Sequence, residues 1–171
     1  MNVYITSGTY EFMKNKKEKH PDEKILLMQN FESAVLLHET TGKTLFSSPR
    51  KYEVVDGKGN LQDHGYVVMN NIPVSEEGQP VFEHQFKNRA GLIENEPGFV
   101  ALRILRPLNS ETYVILTIWE KQADFTNWKK SASFQKAHDS GVKPAVTNSS
   151  QKLFTGDAYV TQYTLVQDSE E

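Results

Sequence analysis

Trp128 and His138 are the residues of this 171-residue chain whose types and spacing point most directly to chemistry. His138 closes a stretch with a helical pattern, and a turn signal follows it at once. A histidine at the C-terminal end of a helix is often only a favourable contact with the helix dipole. A single neutral imidazole on an apolar helical face is also what axial ligation of a haem iron requires. The residues themselves leave both roles open.

The spacing of Trp128 and His138 predicts a break in this helical stretch. Over the ten residues that separate them, an unbroken helix rises about 15 Å and turns the second side chain about 80° from the first. Two side chains so placed do not meet at the centre of one flat ligand. Ser131 and Ser133 are suited to cap a new helix, because their hydroxyls bind free backbone N–H groups. We expect two short helices that wrap such a ligand; alternatively, Trp128 is a core residue that packs one helix onto a sheet.

Two adjacent asparagines, Asn70 and Asn71, fall within a predicted strand at residues 66–72. Asparagine is disfavoured inside strands, and side chains alternate between the faces, so one amide points to each side of the sheet. A buried amide needs hydrogen-bond partners. The pair indicates either an amide donor directed into a cavity or a bulge where the strand ends before Pro73.

The other four histidines carry a weaker signal. His20, His64 and His84 have polar neighbours, which favours surface positions, and His38 lies in an apolar strand, which is typical of a half-buried histidine with satisfied nitrogens. No HExxH or HxH spacing supports a two-histidine zinc site. Glycine-rich phosphate loops and a nucleophile elbow are also missing from the sequence.

Composition excludes several classes of function. The 19 basic and 22 acidic residues give a formal net charge of −3, which does not favour nucleic-acid binding. With no cysteine, disulfides, thiolate catalysis, iron–sulfur clusters and cysteine zinc sites are ruled out. No apolar run approaches the roughly 18–20 residues of a membrane helix, and the N-terminus lacks the pattern of a signal peptide. We expect a cytoplasmic protein with no nucleic-acid or membrane partner.

The chain from residue 65 onward alternates between strand and helix patterns. Periodicity, caps and breakers predict strands at 66–72, 99–105, 112–120 and 159–166, helices at 79–92 and 124–138, and a polar loop at 142–152. This β–α–β–β–α–β order is that of the ferredoxin-like fold.

The first 60 residues show a weaker echo of the same order. The patterns predict a strand at 2–6, a helix at 10–20, strands at 24–30 and 33–40 that could form a hairpin, a stub at 44–48, a strand at 51–55 and a turn at 56–60. The echo favours two similar halves around one core. An unrelated β-rich extension explains it about as well.

Residues 82–105 and 112–138 resemble the antibiotic-biosynthesis-monooxygenase superfamily. Phe82, Phe86 and Arg89, followed by a Pro–Gly–Phe turn at 97–99, match a pattern that says more about fold than about function. Within the superfamily the chain looks like the Isd-type haem-degrading monooxygenases, in the longer form of Bacillus and Listeria relatives. The resemblance covers residues 65–166, and residues 1–64 match only that longer form.

The Isd-type resemblance rests on three residues, Asn70, Trp128 and His138. It implies that haem is both cofactor and substrate, with His138 as the axial ligand of the haem iron. Asn70 would donate a hydrogen bond on the distal side and direct oxidation to a meso carbon, and Trp128 would press on the macrocycle and ruffle it. The resemblance further implies O₂ as co-substrate and an external electron donor, a reductase or a small reductant. Iron and an opened tetrapyrrole would be the products.

The resemblance implies an α+β architecture in which two fused ferredoxin-like halves form a single-chain version of a dimeric α/β barrel. Residues 1–63 would be a degenerate half, and residues 64–171 would be the monooxygenase domain that carries the haem site. We expect a monomer, an internal pseudo-dimer, with one haem per chain. Three alternatives stay open: a non-catalytic protein for haem binding or delivery, a cofactor-free monooxygenase, and a signalling module without a small ligand.

Overall fold

The computed structural model describes residues 1–87, 93–131 and 153–167. A short 3₁₀ helix, Glu76–Gly78, precedes the second α-helix. In chain order the main elements are β1 (Asn2–Gly8), α1 (Tyr10–Glu18), β2 (Ile25–Gln29), β3 (Ala34–Thr40), β4 (Arg50–Lys58), β5 (Tyr66–Pro73), α2 (Gln79–Lys87), β6 (Phe99–Pro107), β7 (Thr112–Trp119), α3 (Gln122–Lys129) and β8 (Tyr159–Leu165).

The eight strands close into one barrel in the order β1-β3-β2-β8-β5-β7-β6-β4, and every pairing is antiparallel. Each half of the chain contributes the same sequence of neighbours, its fourth strand, then its first, third and second. The halves meet where β2 pairs with β8 and where β4 pairs with β6. Both halves of the barrel therefore share one strand order, although no helix lies between β3 and β4 in the N-terminal half.

The lumen of the barrel is an apolar core. Side chains alternate along the strands apart from one register shift in β4 and one in β6, so one face of each strand fills the lumen. Its aliphatic and aromatic side chains include Val3, Leu37, Met69, Leu116 and Tyr163. The other face of each strand points outward and needs a second layer to cover it.

Helices cover the outward faces of both halves. In the C-terminal half, Phe82 of α2 and Phe125 of α3 pack on outward side chains such as Ile104 and Trp119. In the N-terminal half, Met13 of α1 packs on the outward face in a separate cluster. Since each half has its own outer layer, a ligand held between sheet and helix lies outside the barrel, not in its lumen.

Most predicted elements are present, with four corrections. The hairpin of β2 and β3 is confirmed. The stub predicted at 44–48 has neither helix nor strand, and β4 continues through Lys58 because a register shift between Val54 and Asp56 lets pairing with β6 go on. The strand predicted at 99–105 extends to Pro107, and α3 begins at Gln122.

The break expected in the last helical stretch agrees with the end of α3. The helix stops at Lys129, with Lys130 as its C-cap, and the Ser131 hydroxyl donates to the Trp128 carbonyl at 2.6 Å. The second short helix, the C-terminal part of the helix predicted at 79–92 and the loop at 142–152 lie outside the described residues. Within the described ranges, no helix is long and apolar enough to cross a membrane.

Candidate functional site

Asn71 faces the lumen and is fully engaged. It is 2% exposed, and its Nδ2 lies 3.2 Å from the Met69 carbonyl, the Tyr159 carbonyl and the Thr161 Oγ1. A buried amide with these acceptors stabilises the pairing of β5 with β8. Asn71 therefore has a structural role.

Asn70 faces outward, towards the helical layer. Its Cα is opposite Ile115 on β7 and Val160 on β8, and both neighbours are aliphatic. Asn70 is half-buried, and its amide makes no hydrogen bond with any described residue. Val160 is 51% exposed. Within the described part of the chain, Asn70 is thus a side-chain amide without a hydrogen-bond partner on an apolar surface.

Trp128 lies on α3 against a group of aromatic side chains. Its ring centroid is 5.6 Å from that of Trp119 and 6.2 Å from that of Phe125. Trp119 is completely buried, and its Nε1 donates to Thr117 Oγ1 at 3.0 Å. The alternative reading of Trp128, a residue that packs a helix onto the sheet, describes this contact correctly. Trp128 keeps part of its surface exposed, however, whereas Trp119 does not.

Asn70 and the Trp119–Trp128 pair lie on the same outward face at different positions along the strands. Asn70 is opposite Ile115, and Tyr66 is opposite Trp119. The four-residue step between these rows corresponds to about 13 Å along the strands. An outward strip of the sheet therefore has an amide at one end and two tilted, packed indoles at the other. Such a strip is a suitable floor for a flat apolar ligand.

A charged clamp, formed by Glu83, Arg106 and Tyr113, holds α2 beside this strip. Glu83 on α2 accepts two hydrogen bonds of 2.7 Å from the Arg106 guanidinium, and the Tyr113 hydroxyl donates to the same carboxylate. The guanidinium of Arg106 also donates, from Nη1, to Glu53 Oε1 at 2.6 Å. Burial, and then the hydrogen bond to Glu83, raises the pKa of Tyr113, while the carboxylates raise that of Arg106. The clamp fixes the lateral position of α2 on the sheet.

Gly98 allows α3 to approach the end of β6. Its φ is +82°, and a Cβ at this position would lie 2.1 Å from the Asp124 Cγ. Asp124 Oδ2 accepts from the Lys121 backbone at 3.1 Å, which caps the helix. The Pro–Gly–Phe turn seen in the sequence thus has a packing explanation, since a larger residue would displace the helix that carries Trp128.

His138 lies outside the described residues, so the structure does not place it relative to Asn70 and Trp128. Among the described residues, no group of three or more His, Asp or Glu side chains could hold a metal ion. As predicted, His64 and His84 are exposed. The expectation of a half-buried, satisfied His38 is wrong, because it is completely buried in the N-terminal half and only its Nε2 is bonded, to Glu23 Oε1 at 2.7 Å.

Two residues on the same outward face were not singled out from the sequence, Tyr66 and Gln162. The Tyr66 hydroxyl donates to the Gln162 Oε1. Alternation along residues 159–166 puts Gln162 on the outward face, but no pattern in the sequence predicts its neighbour on a strand so distant in the chain.

Comparison with known proteins gives a family match for part of this geometry. Residues 65–140 match the family model described as antibiotic biosynthesis monooxygenase.

Two curated relatives are similar over most of the chain. A haem-degrading monooxygenase of Listeria monocytogenes is 27% identical over 129 residues, 75% of this chain and 77% of the relative. The signal transduction protein TRAP of Staphylococcus epidermidis is 26% identical over 136 residues, 80% of this chain and 81% of the relative. A solved structure described as a major regulator of staphylococcal pathogenesis superposes with a TM-score of 0.83 at 25% identity, covering 98% of this chain and all of that one.

Proposed function

We propose that this chain, which matches the antibiotic biosynthesis monooxygenase family model over residues 65–140, degrades haem. It would bind haem as substrate and cofactor, open the porphyrin ring with O₂ and electrons from an external donor, and release iron. The observation that carries the proposal is the unused Asn70 amide on the apolar outward strip that also leads to Trp128. The identity to a haem-degrading relative supports the same activity.

The described residues are compatible with haem in polarity. A porphyrin is flat and largely apolar, and the strip between Asn70 and the indoles offers Val68 and Ile115 as an apolar floor. Asn70 supplies an amide to a surface on which its strand neighbours are aliphatic. A single donor in a dry site acts strongly, because no water competes with it.

Each proposed site residue has a separate role. Asn70 would donate a hydrogen bond to the bound substrate, and Trp128 would pack against the macrocycle. His138 is assigned as the axial ligand on the basis of sequence resemblance. Bound haem supplies the redox chemistry, while the protein supplies ligation, distortion and one oriented donor.

The repeated strand order supports a single-chain version of a two-subunit barrel. Residues 1–63 would form the half without a haem site, and residues 64–171 the half that carries it. We expect a monomer with one haem. Gel filtration at low concentration should give a mass near 19.5 kDa, and twice that mass would contradict the monomer.

An absorbance titration followed by aerobic reduction tests the function. Haemin should bind at one equivalent, and a small reductant under air should then abolish the Soret band and deliver iron to a chelator. Saturable binding without loss of the band would indicate haem binding or delivery without catalysis. Failure to bind haemin would favour a cofactor-free monooxygenase instead.

A regulatory protein is the second candidate, and a specific finding favours it. The similarity to TRAP and to the solved staphylococcal regulator covers at least as much of the chain as the similarity to the haem-degrading relative. The Asn70 amide counts against this candidate, because regulation without a small ligand gives no role to an amide that has no partner among the described residues. Failure to bind haemin, together with no oxygen uptake when an aromatic quinol is added under air, would support this candidate over a cofactor-free monooxygenase.

A further inference from the structure

The outward face of β8 places a carboxamide, Gln162, beside the strip that carries Asn70. Tyr163 faces the lumen, so the preceding residue faces outward. The register of β5 and β8 puts Gln162 opposite Val68 and Val160 opposite Asn70. One strand spacing and two residues along the strands separate Asn70 from Gln162, which is about 8 Å.

The Tyr66 hydroxyl orients this carboxamide. It donates to the Gln162 Oε1. Tyr66 packs against the outer aromatic and aliphatic cluster, and burial raises the pKa of its hydroxyl, so the hydroxyl keeps its proton at neutral pH. Because the carbonyl oxygen is occupied, the amide nitrogen of Gln162 is turned away from Tyr66. Among the described residues it has no acceptor.

The backbone at Gln162 is fixed as well. The Asn30 Nδ2 donates to the Gln162 carbonyl at 3.1 Å, across the junction between the two halves. Asn30 is held in turn by its own loop, since its Oδ1 accepts from the backbone N–H groups of Glu32 and Ser33. The β2–β3 turn of the N-terminal half therefore anchors β8 where Gln162 meets the strip.

A porphyrin substrate carries charged groups, and the aliphatic side chains of the strip cannot donate hydrogen bonds to them. Natural porphyrins carry carboxylate arms, and a carboxylate that leaves bulk water needs a hydrogen-bond donor. The separation of Asn70 and Gln162 is comparable to the distance from a porphyrin's centre to those arms. Resting on the proposed function, we propose that Gln162, oriented by Tyr66, binds a carboxylate arm of the substrate and sets the orientation of the macrocycle in the site.

Binding of a redox-inert porphyrin tests this role without turnover. Zinc protoporphyrin and its dimethyl ester, followed by fluorescence, differ only in the carboxylates. The wild-type chain should bind the diacid more tightly than the diester. Gln162→Leu should weaken diacid binding about tenfold and leave diester binding unchanged, because a hydrogen bond to a charged acceptor exceeds one to a neutral ester. Tyr66→Phe should cause a smaller loss in the same direction.

A matched control separates this effect from the loss of any carboxamide. Gln167 is exposed just beyond the end of β8, and Gln167→Leu should bind both porphyrins like the wild type. An unchanged melting temperature of Gln162→Leu would show that the strand is intact. If Gln162→Leu weakened both porphyrins equally, or neither, the carboxylate role would be wrong while haem binding stood. If the wild-type chain bound neither porphyrin nor haemin, the proposed function itself would fail.

Discussion

The indole of Trp128 packs on the indole of Trp119, with ring centroids 5.6 Å apart and planes inclined by 33°. Trp119 is completely buried and anchored to Thr117, whereas Trp128 is partly exposed near the end of α3. Trp119 thus supports Trp128 from the sheet side, and Trp128 keeps part of its surface exposed. The two residues should respond differently to the same substitution.

Trp128→Phe should retain haemin binding and slow haem degradation, because the smaller ring presses less on the macrocycle. The free energy of unfolding should change little. Trp119→Phe is the matched control: it removes a buried indole and its hydrogen bond, so unfolding should become easier by about 1–3 kcal/mol. Urea unfolding and the rate of Soret loss measure the two effects. A larger loss of stability in Trp128→Phe would contradict this assignment.

Substitution of Asn70 should affect activity, whereas substitution of its neighbour Asn71 should affect stability. Asn70→Ala should keep haemin affinity and the free energy of unfolding within about 0.5 kcal/mol of the wild type, and lower the rate of haem loss by about 100- to 1,000-fold. Asn71→Ala removes a buried donor from the β5–β8 pair and should destabilise the fold by about 1–3 kcal/mol. The opposite pattern would mean that the lumen, not the outward strip, holds the site.

Removal of His138 should affect the haem spectrum directly. His138→Ala should shift the Soret band and abolish turnover, while the apolar strip still retains some haem. His38→Ala should leave the spectrum unchanged and lower stability, since it empties a buried position in the other half. An unaltered spectrum in His138→Ala, combined with loss of haem in His38→Ala or His84→Ala, would move the site elsewhere on the barrel.

The clamp on α2 predicts that the free energy of unfolding falls as the pH becomes alkaline. Burial and Glu83 raise the pKa of Tyr113 above the usual tyrosine value of about 10. Above that pH the unfolded chain releases a proton that the folded chain keeps, so the unfolded state binds fewer protons and the free energy of unfolding falls as pH rises. Tyr113→Phe should show a smaller fall between about pH 8 and about pH 11 in urea unfolding. An equal fall in both proteins would disprove the contribution.

Alternation along single strands was enough to predict that Asn70 and Asn71 face opposite sides of a sheet, and local caps and turns were enough for the hairpin of β2 and β3. These features depend on neighbours in the chain. The extent of β4 was underestimated because pairing with β6 overrides the turn propensity of residues 56–60.

Only the tertiary structure decided which asparagine points into the lumen, because closure of the barrel distinguishes an inner face from an outer one. It also decided the partners of Glu83 and Gln162, since the Glu83–Arg106 and Tyr66–Gln162 contacts join residues from different elements far apart in the chain. Periodicity reports the direction of a side chain relative to its own strand or helix. The partner it meets depends on how the elements pack against one another.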